Sequence, residues 1–323
     1  LSTHDTPLHP TFEVLAVMRM SPLLEPLLRA QCTVHDRLHE ADPAAFEAVA
    51  PRIRGIAASG ESKVGAELMD RLPALEIISV MGVGYDGIDV AAAKARGVIV
   101  THTPDVLNDD VADLALALML AGSRQIVAAD RYIRDGKWSG GPMPLARKLS
   151  GSRLGVVGMG RIGQAIARRA QAFDMPVAYH TRQPKPGLPY PHIASLVDLA
   201  ARSDVLVVIT PGGAATRHLI NAEVLAALGP QGLLVNVARG SVVDETALIE
   251  ALESGALGGA ALDVFAEEPN VPERLRALPQ VVLTPHIGSA TNSTRGAMAG
   301  LAAENLRAKA AGEAVVTAVP ECR

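Results

Sequence analysis

The chain has 323 residues, enough for one large domain or two ordinary ones, and its 49% hydrophobic content suits a sizeable core. A net charge of −4 and 3% aromatic residues give neither the basic footprint nor the stacking surface of a nucleic-acid binder. The two cysteines, Cys32 and Cys322, have no metal-ligand spacing and suit a reducing compartment.

The opening Leu1 to Pro7 has no basic segment followed by an apolar one, so a secretory leader is not expected there. The longest apolar run, 111–122, contains Asp113 and is too short to span a bilayer. A soluble cytoplasmic protein is expected. Residues 13–18 predict a first strand and 22–30 a helix, with Pro22 and Pro26 in its first turns. Residues 33–37 predict a strand, 44–50 a helix, 53–57 a strand, 66–71 a helix, and 76–80 and 98–100 two further strands. His35 and His39, four apart on this strand or loop, read as two solvated histidines and not as metal ligands. Short apolar strands alternating with helices predict a parallel sheet covered on both faces.

Thr103, Pro104 and Asp105 punctuate the chain and predict a domain boundary. Residues 109–136 predict one long helix, rich in Ala and Leu and apolar around most of its circumference through Leu120. Such a helix is either buried in the core or packed on a second subunit. A Gly/Pro-rich stretch runs to Gly151. Strands are then expected at 154–157, 177–180, 205–210, 233–237, 259–263 and 281–284, with helices at 161–173, 195–202, 221–228 and 244–254. This is a six-strand doubly wound sheet of Rossmann type, in which ligands bind beyond the carboxyl ends of the strands. A last helix, 291–311, is expected to return to the first domain. The expected architecture is α/β throughout. A Rossmann cofactor domain at 103–289 is inserted in a smaller flavodoxin-like substrate domain made of 1–102 and 290–323.

The first of these six strands runs into Gly158, Met159, Gly160, Arg161, Ile162 and Gly163, with the G-x-G-x-x-G spacing of a dinucleotide turn. The first glycine permits the tight turn, the second lets a pyrophosphate approach, and the third lets the helix pack on the strand. Gly82, Gly84 and Gly87 have the same spacing, but only a short helix fits before the next strand, so the later copy is the cofactor turn.

Three chemically distinct groups follow three strands of the same sheet: Arg239, Glu268 and His286. Arginine clamps a carboxylate with a bidentate fork. Histidine passes a proton near neutral pH. A glutamate on the far ring nitrogen would fix the histidine's tautomer.

With these groups in place the sequence resembles the D-isomer-specific 2-hydroxyacid dehydrogenases over nearly its whole length. The resemblance rests on Gly158 to Gly163, on Asn236 to Asp244, on Leu262 to Pro269, and on Leu283 to Gly288. It implies that Arg239 binds and polarises a 2-oxo acid, that His286 is the general acid/base, and that Glu268, directly before Pro269, is its partner in preference to Glu267. It makes Val83 and Gly84 part of a substrate loop whose amides hold the substrate carboxylate, with Ser59 nearby. It places Thr210, Pro211, Thr216, Ala238, Asp263 and Gly288 on the cofactor, although Gly212 and Gly213 depart from the bulkier residues often found there. The wording is most similar to the glyoxylate/hydroxypyruvate reductases of the family, with hydroxyphenylpyruvate and 2-ketogluconate reductases nearly as similar. Some relatives of the family are dinucleotide-sensing co-repressors, a binding role and not a catalytic one.

The second strand of the cofactor sheet ends in His180, Thr181, Arg182 and Gln183, with no carboxylate for a ribose 2′-hydroxyl. Arg182 stands where a 2′-phosphate would sit, and Thr181 can add a hydroxyl bond. NADP(H) is therefore expected in preference to NAD(H), which argues against the NAD(H)-sensing co-repressors. By resemblance, the 109–136 helix and its loop build a homodimer in which Trp138 approaches the partner's substrate pocket.

Overall fold

The computed structural model describes residues 12–323; Leu1 to Pro7, read above for a leader, lies outside them. The chain divides into two units, Leu1–Leu107 with Thr291–Arg323, and Asn108–Ala290. The first boundary falls five residues beyond the expected one. Thr103 stays with the first unit because its amide donates to the Gly82 carbonyl.

Among the described residues the first unit holds five parallel strands: β1 (Glu13–Ala16), β2 (Thr33–Asp36), β3 (Ile53–Ser59), β4 (Ile77–Met81) and β5 (Ile99–Thr101). Their order is β2-β1-β3-β4-β5, the flavodoxin-like order. Every residue of β4 is buried, as expected for a central strand covered on both faces. Leu15, Phe46, Ile56, Ile78 and Val80 belong to one core cluster. The helix Asn292–Ala310 returns to this unit and packs on β4, where the Ser79 hydroxyl donates to the Ala302 carbonyl at 2.9 Å. Beyond it, Ala318 pairs antiparallel with Thr101.

His35 and His39 are not the solvated pair that their spacing suggested. Each side chain is 15% exposed. His35 is 2.8 Å from the Glu13 carboxylate, whereas His39 stacks at a tilt on Phe46, and burial holds its pKa below the usual value.

The second unit holds β6 (Leu154–Val157), β7 (Val177–His180), β8 (Val205–Val208), β9 (Leu233–Asn236), β10 (Gly259–Leu262) and β11 (Val281–Leu283), all parallel. The order is β11-β10-β9-β8-β6-β7. One further pairing lies outside β7, where His192 bridges Tyr179 in parallel. This single residue takes the place of the third strand of a Rossmann sheet, and with it the order becomes the expected 3-2-1-4-5-6 plus one strand. The periodicity of six strands gave no hint of it, because one bridged residue has no period.

The expected helix over 109–136 is two helices, Asn108–Arg124 and Ile126–Arg134, meeting at 58°. Gln125 adopts a left-handed φ of 52° between them. The first helix buries Val111, Ala115, Leu116 and Met119 and packs on the helix Arg161–Gln171 and on β9 and β10. The second buries no residue and leaves Ile126, Val127 and Ile133 exposed. No single helix among the described residues is long and apolar enough to cross a membrane.

Candidate active site

The glycine turn after β6 has the three properties its spacing predicts. Gly158 adopts φ +101°, where a Cβ would lie 2.7 Å from the Ile209 carbonyl oxygen. A Cβ at Gly163 would collide with the Gly158 carbonyl, so this glycine is what lets the helix Arg161–Gln171 sit against the strand. Gly160 faces open space, with nothing within 4 Å of a Cβ. Arg161 and Ile162 form the first turn, whose amides and dipole favour an anion. The cradle fits a dinucleotide pyrophosphate. The earlier copy does not. Gly87 precedes its helix, Val90–Ala95, which is capped by the Asp89 side chain instead of opening on a glycine turn.

At the end of β7 the Thr181 hydroxyl donates to the Gln183 carbonyl at 2.6 Å, closing the turn that presents the exposed Arg182. Thr210 and Pro211 follow β8, and the Thr216 hydroxyl donates to the Pro211 carbonyl at 2.7 Å. Gly213 adopts φ +106° with no neighbour, so this wall is backbone with little side chain.

The chemistry-bearing groups gather at the carboxyl ends of β9, β10 and β11. Asn236, 1% exposed, organises the first loop: its amide donates to the Arg239 carbonyl at 3.1 Å and its oxygen accepts from the Ala238 amide at 3.0 Å. Arg239 is half-buried and donates to the Ala238 carbonyl at 2.8 Å. Gly240 follows it because a Cβ there would collide with the Phe265 carbonyl, so the first and second loops lie in contact.

In the second loop Glu268 accepts from the Phe265 amide at 2.9 Å through Oε1, and its Oε2 lies 2.7 Å from His286 Nδ1. Of the two adjacent glutamates it is Glu268 that meets the histidine, while Glu267 is exposed. His286 adopts φ 52°. Its loop wraps around Asp263, which is 2% exposed. Asp263 Oδ1 accepts from the Thr284 hydroxyl at 2.7 Å and the Ile287 amide at 2.8 Å, and Oδ2 accepts from the Gly288 amide at 2.9 Å. The Asp263 carbonyl accepts from the His286 amide at 2.9 Å. Asp263 and Gly288, which the resemblance places on the cofactor, are thus bonded to each other and shape the histidine loop. The sequence carries no local sign of this, because the partners lie 21 to 25 residues apart.

The residues expected on the substrate side lie in the first unit. Ser59 ends β3, and its hydroxyl is 3.0 Å from that of Ser62. Val83 and Gly84 follow the neighbouring strand β4, and His102 Nδ1 donates to the Val83 carbonyl at 3.0 Å. Trp138 lies in a short 3₁₀ turn, Lys137–Gly140, and is 67% exposed.

A dinucleotide cradle and a carboxylate-held histidine on one sheet edge define a dinucleotide-dependent dehydrogenase site. Residues 116–288 match the NAD binding domain of the D-isomer specific 2-hydroxyacid dehydrogenases. The chain is 50% identical over 270 residues to a hydroxyphenylpyruvate reductase of Plectranthus scutellarioides, covering 84% of this chain and 86% of that one. It is 42% identical over 307 residues to a 2-ketogluconate reductase of Gluconobacter oxydans, covering 95% and 98%. Among solved structures, the NADPH-dependent glyoxylate/hydroxypyruvate reductase of Sinorhizobium meliloti, in complex with NADP and malonate, superposes with a TM-score of 0.91 at 45% identity, covering 97% and 98%. The chain belongs to the D-isomer-specific 2-hydroxyacid dehydrogenases.

Proposed function

We propose that this protein reduces a small 2-oxo acid of the glyoxylate and hydroxypyruvate kind to the D-2-hydroxy acid, with NADPH preferred over NADH. The observation that carries the reading is the His286–Glu268 contact of 2.7 Å on the same sheet edge as the glycine cradle. When bound, the reduced dinucleotide supplies a hydride. Gly158, Gly160 and Gly163 hold its pyrophosphate, with Thr210, Pro211, Thr216 and Ala238 along its length. Arg182 meets the 2′-phosphate. It is exposed on a turn that offers no carboxylate, and the Sinorhizobium relative at 45% identity is NADPH-dependent.

The residues of the chain divide the remaining work. Arg239 holds the negative charge that develops on the carbonyl oxygen. His286 gives that oxygen its proton through Nε2, because Nδ1 is engaged by Glu268. Glu268 fixes the ring. The amides of Val83 and Gly84, with Ser59 beside them, receive the substrate carboxylate, which makes the first unit the substrate domain and the second the cofactor domain.

A homodimer is part of the proposal. Ile126, Val127, Ile133, Trp138 and Leu145 are exposed along one short stretch, and Leu145 is 99% exposed. Exposed apolar side chains concentrated in this way mark a surface that is covered in the assembly. A reducing, cytoplasmic setting suits the two free thiols, of which Cys32 is buried and pushed up to about 11.

Hydroxyphenylpyruvate and 2-ketogluconate are the competing substrates, favoured by the relatives at 50% and 42% identity. Initial rates with NADPH and NADH on glyoxylate, hydroxypyruvate, 2-ketogluconate and hydroxyphenylpyruvate decide among them. Highest kcat/KM on glyoxylate or hydroxypyruvate supports the reading. Binding of NADPH with no turnover of any of the four would replace it with a sensing role.

A further inference from the structure

We propose that His192 is a positioning residue for dinucleotide selectivity: by holding the Thr181 carbonyl it sets the peptide that carries Arg182. The inference rests on the proposed role of Arg182 at a 2′-phosphate.

His192 bridges Tyr179 at the sheet edge. The Tyr179 amide donates to the Pro191 carbonyl at 3.0 Å, and the Ile193 amide donates to the Tyr179 carbonyl at 2.8 Å. These two bonds fix His192 beside the end of β7. Its side chain then reaches one peptide further along, where Nε2 donates to the Thr181 carbonyl at 2.9 Å. Since the acceptor is a carbonyl, Nε2 must carry the proton.

A peptide group is planar and trans, so its C=O and N–H point in opposite directions. Pinning the Thr181 carbonyl to His192 therefore aims the Arg182 amide the other way and fixes the root of the Arg182 side chain. Two further bonds hold the turn and the strand beside it. The Lys185 amide donates to the Tyr179 hydroxyl at 2.8 Å, and His180 Nδ1 donates to the Ile193 carbonyl at 3.0 Å. The two imidazoles stack with 15° between their planes. Tyr179 itself is 1% exposed. Binding a phosphate orders both the backbone and the side chain of a flexible arginine, and the total cost is smaller when the backbone is already set. A ribose 2′-hydroxyl makes no use of the guanidinium charge, so NADH should be indifferent to the arrangement.

The test is calorimetric titration of NADPH and of NADH into the wild type, His192→Leu, His192→Gln, Arg182→Ala and the Arg182→Ala/His192→Leu double variant. His192→Leu should weaken NADPH about fivefold, the scale of one lost hydrogen bond, while NADH stays within about twofold. His192→Gln, which keeps a donor, should restore most of the loss. In the Arg182→Ala background His192→Leu should change nothing further, because the two residues act through one contact. Equal weakening of both dinucleotides, or a loss that persists without Arg182, overturns the inference. If Arg182→Ala leaves the ratio of the two affinities unchanged, the cofactor reading falls and the inference falls with it. If Arg182→Ala removes the NADPH preference but His192→Leu does not touch it, the inference alone fails.

Discussion

Replacing Asp263 with asparagine tests the idea that one buried carboxylate holds the histidine loop in shape. The side chain accepts three bonds, from the Thr284 hydroxyl and from the Ile287 and Gly288 amides. An amide has the same outline but only one acceptor oxygen. If that oxygen keeps Thr284 and Ile287, the new NH₂ faces the Gly288 N–H, donor against donor. One charge-assisted bond is lost, and the other two become neutral. At about 1.5–3 kcal/mol for a bond to a charged group and about 1 kcal/mol for a neutral one, the change costs about 2.5–7 kcal/mol. For a unit of this size each kcal/mol moves Tm by roughly 2–4 °C, so Tm should fall by roughly 5–28 °C. The loop also keeps His286 at φ 52°, a left-handed conformation that costs roughly 1–2 kcal/mol and is held by its surroundings. A loosened loop should let the ring drift from Glu268 and lower kcat by about tenfold or more. Thermal unfolding followed by near-UV circular dichroism, with kcat measured well below the new Tm, reads both effects. A variant with Tm within about 1 °C of the wild type and an unchanged kcat would show that Asp263 does not support the loop.

Four further outcomes are expected. His286→Ala should lower kcat by about a hundredfold or more, with NADPH affinity retained in a titration. Arg182→Asp should raise the KM of NADPH far more than that of NADH, since it removes a cation and adds repulsion; equal changes count against the 2′-phosphate role. Trp138→Ala should raise KM for the 2-oxo acid and leave NADPH affinity alone, and a monomer in sedimentation at working concentration would defeat the dimer. The Arg153 guanidinium beside Asp204, which also accepts the Arg153 amide at 2.7 Å, holds the Asp204 carboxyl below its usual range despite burial. A depressed folded-state pKa gives stability that is present above the unfolded value, near 4, and lost as pH falls through the folded one. In urea unfolding, the gap between the wild type and Asp204→Asn should therefore be wide at pH 7 and narrow toward pH 3.

The sequence showed the strands of both sheets and the residues at their ends because burial on two faces leaves apolar runs, and ligand chemistry leaves polar residues just beyond them. Glycine spacing alone did not separate the two turns; the length of the helix behind each did, Arg161–Gln171 against Val90–Ala95. What it did not show was set by tertiary contacts. The break at Gln125 follows a short polar run, Gly122 to Gln125, whose Arg and Gln are good helix formers and give no stop signal; the Ser123 carbonyl there accepts from the Arg147 amide, a partner supplied by a later loop. The His192 bridge is too short to carry a period. The dual hold on Glu268, by Phe265 and by His286, depends on two loops meeting, which the motif spacing suggests and only the fold displays.

The return of Asn292–Ala310 to β4 has a consequence for synthesis on the ribosome. β1 to β5 emerge first, but the helix that covers β4 follows only after roughly 180 further residues. At about 5–20 residues per second, β4 waits roughly 10–40 s without its cover. During that interval Asn108–Ala290 can fold by itself, since it is a compact unit of continuous chain. The first unit cannot be completed until the second has been made, so its sheet stays unfinished through most of every round of translation.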